Sequence, residues 1–268
     1  MNETEKHYFD ANKTLWNERT DLHVESEFYD MKGFESGKSS LNKIELDILG
    51  NIKGEKILHL QCHFGQDTLS LTRMGARVTG LDFSDKAIHK ARQISEKLDI
   101  KADFVCCNVL EMDQHITEQF DVVFASYGIC GWLPQLDKWA TLTAQRLKPG
   151  GRFILVDFHP FVWMFNNNFE KIQYSYFNKE VIIEEEEGTY ADRGAAIKEK
   201  SYGWNHSLSE ITSVLLKAGL SLTLFNEYDY SPYPCFNNIV KSDEGYQLKG
   251  MEGKMPMVYG IEVTKLKS

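Results

Sequence analysis

The sequence lacks the usual marks of an exported or membrane-bound protein. Its five cysteines are odd in number and include no Cys-x-x-Cys pair, which argues against a disulfide framework and favours reduced thiols in a cytoplasmic protein. No apolar run approaches the ~18 residues of a transmembrane helix. The N-terminus is polar and acidic, so we expect no signal peptide and no association with a membrane.

Positive charge is also scarce. The 268 residues carry 30 Lys and Arg against 39 Asp and Glu, which gives a net charge of −9. Such a chain repels phosphate backbones, so we expect no nucleic-acid partner. With 42% hydrophobic residues, the chain is long enough for one sizeable core, or for one domain with an elaborate insertion.

Strand-like and helix-like patterns alternate between residues 40 and 157. Strands separated by helices are joined by right-handed crossovers, which place them in a parallel sheet with helices on both faces. The pattern therefore predicts a doubly wound, Rossmann-like α/β fold. We predict strands over residues 56–60, 77–82, 103–107, 120–126 and 152–157, helices over 67–74, 84–98 and 136–147, and a turn over 148–151.

The alternation stops after Asp157. Residues 158–177 contain eight Phe, Tyr or Trp residues, and residues 178–194 resemble a hairpin arm with an acidic end. We therefore predict a lid insertion after strand five, over about residues 160–203. Its apolar residues could form the lid's own core, line a site for a planar substrate, or form a homodimer interface, and the sequence leaves these alternatives open.

The helix and strand rhythm resumes at residue 206. A helix over 206–220 and strands over 221–229 and 257–266 would complete a seven-stranded, mostly parallel sheet whose last strand is antiparallel. We assign residues 1–45 to an N-terminal helical cap and residues 46–268 to the main domain.

The loop after the first strand is poor in glycine. It consists of Gln61, Cys62, His63, Phe64 and Gly65, whereas nucleotide-binding α/β folds usually place several glycines here, because the backbone must turn sharply and approach a ligand closely. Ligands of open α/β sheets lie at the carboxyl ends of the strands. The loop therefore faces the expected crevice.

Two polar residues follow the next strands. Asp82 ends strand two, where a carboxylate can accept hydrogen bonds from both ribose hydroxyls of an adenosine. Because it lies at a strand end, we expect it to face the crevice and not the core. Asn108 follows strand three, where its amide can pair with an adenine edge. Together these residues predict an adenosine site.

The ordered segments "ILHLQCHFG", "VTGLDFSDKAIHKAR", "ADFVCCNVLEM", "FDVVFASYGICGWLP" and "LKPGGRFILVDFHP" resemble the class I S-adenosylmethionine-dependent methyltransferases, within the small-molecule group with a UbiE-like or type 11 core. The resemblance covers roughly residues 50–160. The chain departs from the family in its first loop, where His59, Gln61 and His63 stand in place of an acidic residue and two glycines. It looks like a member of an "LQCHFGQDT" subgroup of uncharacterised bacterial methyltransferases.

The resemblance implies S-adenosylmethionine as cofactor and methyl transfer to a small-molecule acceptor. In-line displacement from a sulfonium needs mainly orientation and exclusion of water. The cap segment of related enzymes folds over the cofactor, so the resemblance adds residues of this segment to the site. The predicted cofactor residues are Gln61, Cys62, His63, Phe64, Gly65, Asp82, Phe83, Asn108, Val109, Ser126, Tyr127, Trp16 and Tyr29.

A general base is optional in this chemistry. Weak candidates are His159 after strand five, His206 before the last core helix, and Tyr127, each of which could instead be structural. Trp132 is placed to line the crevice. His59 and His63 are not on one helical face, so we predict no metal site.

Two alternative functions share parts of this pattern. An NAD(P)-dependent oxidoreductase would have the same sheet, but it normally needs Gly-x-Gly-x-x-Gly in the first loop. That spacing is absent. A non-catalytic protein that keeps the fold and the cofactor site would fit the degenerate loop.

Overall fold

A computed structural model describes residues 3–267, and in this range helices and strands alternate along most of the chain. The α-helices are α1 Glu3–Glu25, α2 Met31–Glu35, α3 Lys43–Leu49, α4 Gln66–Arg73, α5 Asp85–Lys97, α6 Leu136–Arg146 and α7 Leu208–Lys217. The strands are β1 Lys56–Leu60, β2 Arg77–Asp82, β3 Asp103–Cys106, β4 Phe120–Ser126, β5 Leu147–Phe158, β6 Ile182–Glu187, β7 Lys198–Gly203, β8 Leu220–Tyr228, β9 Ile239–Lys241, β10 Tyr246–Leu248 and β11 Val258–Lys265.

Seven strands form the central sheet in the order β3-β2-β1-β4-β5-β11-β8. Strands β1 to β5 are parallel, and β11 lies antiparallel between β5 and β8. The predicted doubly wound, mostly parallel sheet with an antiparallel last strand is confirmed. The strand order reverses between β1 and β4, which is the position where open α/β sheets bind their ligands.

Both faces of the sheet are buried, as the continuous apolar runs of its central strands require. On one face Trp139 of α6 packs edge-on against Phe153 of β5, with ring centroids 5.4 Å apart. On the other face Ile44 of α3 lies in a cluster with Ile57 of β1 and Phe124 of β4. The sheet is therefore a rigid platform for the loops at its edge.

Helix α5 follows the predicted pattern. Ser84 caps its N-terminus by accepting a hydrogen bond from the Ala87 amide, 3.1 Å away, and the helix buries Ala87, Ile88, Ala91 and Ile94. These residues recur at the spacing of one helical face. The amphipathic pattern thus predicted both the helix and its buried face.

The structure differs from the prediction at residues 148–151. We predicted a turn there, but β5 already begins at Leu147, which pairs with Phe120 of β4, and the next pairing is Arg152 with Val122. The four intervening residues form an irregularity within the strand. Gly150 has a φ of +79°, a backbone conformation that favours glycine, so glycine allows the strand to continue past this point.

Residues 159–205 lie between β5 and α7, and we call them the insertion. They contain the antiparallel hairpin β6–β7. A second hairpin, β9–β10, lies within a region that we predicted only as a loop rich in Pro, Asn and Gly. Its strands have three residues each, which is too short for a periodic signal in the sequence.

Helix α1 packs against β7 of the insertion and against α5 of the main domain. Asn12 is 2% exposed and pairs with the backbone of Tyr202: its amide donates to the Tyr202 carbonyl at 2.8 Å and its carbonyl accepts from the Tyr202 amide at 2.9 Å. The helix therefore extends the hydrogen bonding of an edge strand. Among residues 3–267, no helix has the length and apolar character needed to cross a bilayer.

Candidate active site

A cavity of about 1250 Å³ lies over the carboxyl ends of the central strands. Its walls include a residue at the end of, or just after, each of four strands: Gln61 after β1, Asp82 of β2, Ser126 of β4 and Asp157 of β5. Helix α1, the insertion and residues 232–237 also line it. Pockets for one drug-sized ligand measure roughly 300–1,000 Å³, so this cavity has room for a cofactor and an acceptor together.

The loop after β1 has backbone angles typical of glycine at three positions, although only one of them, Gly65, is a glycine. Gln61, His63 and Gly65 have φ values of 51°, 50° and 81°, all in the left-handed region. For a residue with a side chain, this conformation costs about 1–3 kcal/mol and is concentrated at functional sites. The loop therefore makes the sharp turn that a cofactor requires, although two of its three left-handed positions carry side chains.

Gly65 is required by packing as well as by its φ. A Cβ at this position would lie 2.8 Å from Cε1 of Phe104 and 3.0 Å from Cβ of Ala91. Phe104 belongs to β3 and Ala91 to α5, so Gly65 lets the start of α4 approach the neighbouring elements. This matches the packing role of the third glycine in dinucleotide-binding loops.

Asp82 joins two strand ends through its carboxylate. Oδ2 accepts a hydrogen bond from the His63 amide at 2.8 Å, and Oδ1 accepts one from the Ser84 amide at 2.8 Å. The side chain is 6% exposed, and burial raises its pKa to about 6. We expected Asp82 to face the crevice and not the core. It lines the cavity and is nevertheless buried, because it also holds the loop after β1.

The loop after β3 is built around Asn108. Its Oδ1 accepts a hydrogen bond from the Leu110 amide at 2.9 Å and so caps a short 3₁₀ helix, Val109–Gln114. Phe83, Asn108 and Val109 all line the cavity. This end of the cavity is where we predicted the adenine.

The side chain of His63 connects the loop to helix α1. A hydrogen bond of 3.0 Å joins His63 Nε2 and His23 Nδ1, and the Trp16 and His63 rings meet edge-on with centroids 5.2 Å apart. Burial lowers the pKa of His23 to about 2 and that of His63 to about 3. Both rings are therefore neutral near pH 7, and one can donate to the other.

Tyr29 completes this aromatic group. Its ring stacks on His23 at a centroid distance of 5.3 Å and meets Phe64 at 4.7 Å, and its hydroxyl bonds that of Tyr190 in the insertion. The cap segment, the loop after β1 and the insertion thus meet at Tyr29.

Asp157 shapes the loop after β4. Its carboxylate accepts hydrogen bonds from the amides of Gly128, Ile129 and Cys130 at 2.6, 3.1 and 3.0 Å. Burial raises the pKa of Asp157. The loop is therefore fixed from beneath by a strand-end carboxylate, and it presents Tyr127 to the cavity.

Ser126 and Tyr127 each bond a carboxylate. Ser126 Oγ donates to Asp67 Oδ2 at 3.1 Å, and Tyr127 Oη donates to Glu45 Oε2 at 2.8 Å. Glu45 is fully buried. Its burial and the neighbouring charge of Asp67 raise the pKa of Glu45 to about 7.

The two candidate histidines lie in different surroundings. His159 Nε2 bonds Glu227 at 2.9 Å, while its Nδ1 accepts from the Phe161 amide. Both ring nitrogens are engaged, and Pro160 lines the cavity at this point, so the geometry argues against His159 as a base. His206 does line the cavity, but its Nε2 donates to the Leu133 carbonyl at 2.8 Å.

The structure brings the predicted residues into one cavity, with His159 as the exception. The following predicted site residues line it: Trp16, Tyr29, Gln61, Cys62, His63, Phe64, Gly65, Asp82, Phe83, Asn108, Val109, Ser126, Tyr127 and His206, together with Trp132.

Sequence reasoning missed Glu45, Tyr190 and Tyr233. Glu45 occupies the third position of α3, where it also forms a capping box with Asn42, so its sequence context indicates only a helix start. Tyr190 lies in the predicted hairpin arm, residues 178–194, and Tyr233 lies in a predicted loop. No local pattern showed that Tyr190 and Tyr233 line the cavity, or that Glu45 bonds the cavity-lining Tyr127.

Metal binding has no visible basis in residues 3–267, where no three His, Cys, Asp or Glu side chains are arranged to hold an ion. His59, which stands where the family usually has an acidic residue, is buried and bonds Thr68 Oγ1 through Nδ1 at 2.8 Å. His59 therefore occupies a hydrogen-bonded position in the core.

The central part of the chain is similar to a known family of domains. Residues 57–151 match the model of a methyltransferase domain, which spans β1 to the start of β5. Residues 57–151 therefore form a domain of the class I S-adenosylmethionine-dependent methyltransferase type. The match covers the loop after β1 and the strand ends that carry Asp82 and Ser126.

Two curated relatives of this chain give a similar result. It is 34% identical over 131 residues to an uncharacterized methyltransferase of Synechocystis, covering 48% of this chain and 59% of that protein. It is 26% identical over 187 residues to a ubiquinone biosynthesis O-methyltransferase of Bradyrhizobium, covering 69% and 66%. The chain thus spans less than two thirds of the length of these relatives.

A solved structure shows the same fold. An S-adenosylmethionine-dependent methyltransferase from Clostridium acetobutylicum superposes with a TM-score of 0.58 at 15% identity, over 92% of this chain and 95% of that one. The chain therefore shares the fold of that structure along most of its length.

The family's cofactor is S-adenosylmethionine, and the cavity residues fit it. Each Asp82 oxygen accepts one backbone hydrogen bond and retains a lone pair for a ribose hydroxyl. Oε1 of Gln61 is buried and has no hydrogen-bond partner among the described residues, so an acceptor remains for a donor group of the cofactor. The cavity thus offers acceptors where an adenosyl amino acid presents donors.

Proposed function

We propose that this protein transfers a methyl group from S-adenosylmethionine to a small-molecule acceptor by in-line displacement. The observation that carries the proposal is the single cavity, in which the predicted cofactor residues at the ends of β1, β2 and β3 adjoin the loops after β4 and β5. The name of one relative, an O-methyltransferase of ubiquinone biosynthesis, supports a hydroxyl acceptor.

In this proposal the protein contributes position and exclusion of water. Asp82 and Asn108 would hold the adenosine, and Gln61 and Ser126 would face the methionine end. Bound S-adenosylmethionine supplies an activated methyl group on a sulfonium. Helix α1 and the insertion, which line the cavity, would close it against water, so that orientation provides most of the rate.

The cellular setting is also part of the proposal. All five cysteines are free thiols, as expected in a reducing compartment, so we propose a cytoplasmic location. The net charge of −9 disfavours a nucleic-acid substrate. A homodimer through the insertion stays an expectation.

Binding calorimetry tests the cofactor assignment. We expect S-adenosylmethionine and S-adenosylhomocysteine to bind and to raise the melting temperature, since a ligand at 100 times its Kd stabilises the native state by about 2.7 kcal/mol. NADH and NADPH should do neither. Tighter binding of NADH than of S-adenosylhomocysteine would overturn the proposal in favour of an oxidoreductase.

Turnover separates an enzyme from a binding protein of the same fold. We expect S-adenosylhomocysteine to accumulate when S-adenosylmethionine is incubated with the protein and a panel of small phenols, amines and thiols. If the cofactor binds but no member of a broad panel is methylated, the non-catalytic alternative, which the side chains of Gln61 and His63 in the cofactor loop favour, replaces the proposed activity.

A further inference from the structure

We propose that Tyr127 accepts the proton of a phenolic hydroxyl as that hydroxyl is methylated, and that Glu45 acts through Tyr127 as the final proton acceptor. This inference rests on the proposed function, because it describes the acceptor side of the same cavity. It names a proton route and a class of acceptor, whereas methyl transfer alone requires neither.

The first observation is the position of Tyr127. It follows β4, next to the sheet's switch point, and lines the cavity. It has a φ of 47°, and its amide donates to the Val156 carbonyl at 2.7 Å. A side chain held in this costly backbone conformation is anchored at both ends, since its hydroxyl is bonded to Glu45.

The second observation is the network behind the Tyr127 hydroxyl. Oε2 of Glu45 accepts from Tyr127 at 2.8 Å, and Oε1 accepts from the Asn42 amide at 3.1 Å. Asn42 Nδ2 in turn donates to Tyr233 Oη at 2.7 Å. Two cavity-lining phenols are thus anchored on one buried carboxylate, directly or through Asn42.

The rings at this place favour a planar acceptor. Tyr127 and Tyr233 meet edge-on with centroids 5.0 Å apart, and Phe158 lies 5.4 Å from Tyr127. Phe236, which also lines the cavity, packs against Phe158. Aromatic rings prefer such edge and face contacts, so an aromatic acceptor would find partners on several sides.

The proton balance of the step is simple. The acceptor oxygen forms a bond to the methyl carbon, the carbon–sulfur bond breaks, and its electron pair stays on sulfur. The hydroxyl proton moves to Tyr127 Oη, and the proton already on Tyr127 moves to Glu45 Oε2. The products are the methyl ether, neutral S-adenosylhomocysteine and protonated Glu45. Its proton returns through Tyr127 to the solvent that enters the cavity once the products leave.

The electrostatics of Glu45 suit a phenol. The titratable groups that face Glu45 are Asp67, Tyr127, Tyr230 and Tyr233. Burial and the charge of Asp67 raise the pKa of Glu45 to about 7. A base of this strength lies about three units below a phenol of pKa ~10, a gap small enough for proton transfer during the reaction, whereas an aliphatic alcohol is far less acidic.

The test compares Tyr127→Phe and Glu45→Gln with the control Tyr228→Phe, a tyrosine outside the cavity lining. The probes are 3,4-dihydroxybenzoate, caffeate and 4-hydroxybenzoate, with benzylamine and thiophenol as acceptors of other classes. Rates of S-adenosylhomocysteine formation are measured from pH 5.5 to 9. Calorimetry with S-adenosylhomocysteine is run on every variant to report the cofactor site separately.

We expect the wild type to methylate at least one phenol, at a rate that increases with pH and has the midpoint of the increase near pH 7. We call this increase the pH limb. Glu45→Gln keeps an oxygen for the Asn42 amide but cannot take the proton. It should lose about 100-fold in rate at pH 7, as expected for removal of a general base, and its limb should move up by a pH unit or more. The rate of Tyr127→Phe at pH 7 should fall by a similar factor. Affinity for S-adenosylhomocysteine should stay within about threefold, because Glu45 does not line the cavity and Tyr127→Phe keeps the ring that does.

Three results would overturn the proposal. One is Tyr127→Phe with a rate and pH limb like those of Tyr228→Phe. Another is Glu45→Gln with a reduced rate but an unmoved limb, since this would show a structural role. The third is turnover of benzylamine or thiophenol without turnover of any phenol, which would leave the proposed methyl transfer intact. If Glu45→Gln does not fold, Tyr127→Phe, which loses only a hydroxyl, decides the question.

Discussion

Three carboxylates, two that line the cavity and one that lies behind Tyr127, each bind the backbone of a loop or helix start. Asp82 holds the loop after β1, Asp157 holds the loop after β4, and Glu45 holds the residue before α3. Buried carboxylates are tolerated when they accept hydrogen bonds. At the residue scale, these groups fix the positions of the side chains that face the ligands, so a substitution affects both folding and binding.

Asp82→Ala should therefore change two measurements. The amides of His63 and Ser84 would lose their acceptor, at a cost of about 1–3 kcal/mol for each buried group, so the melting temperature of the unliganded protein should fall. Two ribose hydrogen bonds would also be lost, which should weaken S-adenosylhomocysteine by about 100-fold in calorimetry. Asp82→Asn retains one oxygen and serves as the control. Its melting temperature and its affinity for S-adenosylhomocysteine should lie between those of the wild type and those of Asp82→Ala. An unchanged Kd for Asp82→Ala would place the adenosine elsewhere.

The pH dependence of Asp82 has a defined sign. Its pKa is raised from 3.8 to about 6 in the folded protein, so the folded state takes up the proton first. Its contribution to stability is fully present below pH 3.8 and is lost as the pH rises through 6. Protonation removes an acceptor, so affinity for S-adenosylhomocysteine should fall by about tenfold from pH 7 to pH 5, and Asp82→Asn should lack this dependence.

At the scale of helices, strands and loops, a feature could be predicted when its sequence signal lay in neighbouring residues. Helix α5 was predicted with its cap and buried face because Ser84 and the apolar period are both local. The loop after β1 was placed correctly, but its two left-handed side-chain residues could not be read from a sequence poor in glycine. The pairing of Glu45 with Tyr127 joins residues 82 positions apart, and no local pattern encodes such a contact.

The packing of helix α1 could likewise not be predicted from neighbouring residues alone. Its weak periodicity gives no clear buried face, and it is held by specific contacts: Asn12 with β7, and His23 with the loop after β1. A cap segment could be predicted from the family resemblance. Its partner strand could not, because β7 lies almost 190 residues further along the chain.

Asn12→Ala tests whether this contact holds the cap. The Tyr202 amide and carbonyl would lose their partners, and we expect the free energy of unfolding to fall by about 2 kcal/mol. Hydrogen exchange should speed up in α1 and β7 and stay unchanged in β1. Thr14→Ala, at an exposed position of the same helix, is the matched control. Equal exchange in both variants would show that α1 is held by other contacts.

At the scale of the whole molecule, the cavity is enclosed by the sheet and by three further parts of the chain. The sheet supplies the floor, while α1, the insertion and residues 232–237 supply the walls. Tyr29 in the segment after α1 bonds Tyr190 of the insertion, and Asn12 of α1 bonds Tyr202 of the insertion. The adenosine residues predicted on β2 and after β3 lie on the floor, so we expect the adenosine to be held by a different part of the chain from the walls.

Removal of the insertion tests this division. We expect a variant with residues 162–200 replaced by a flexible linker of about ten residues to fold and to bind S-adenosylhomocysteine less than tenfold more weakly, because Asp82 and Asn108 are retained. Methyl transfer should be lost with the enclosing wall. The decisive measurement is a double-mutant cycle in which Asp82→Ala costs the same factor in the full-length and shortened proteins, as independent sites require. If the folded, shortened protein does not bind S-adenosylhomocysteine, or if Asp82→Ala has no effect in it, then the insertion is part of the cofactor site.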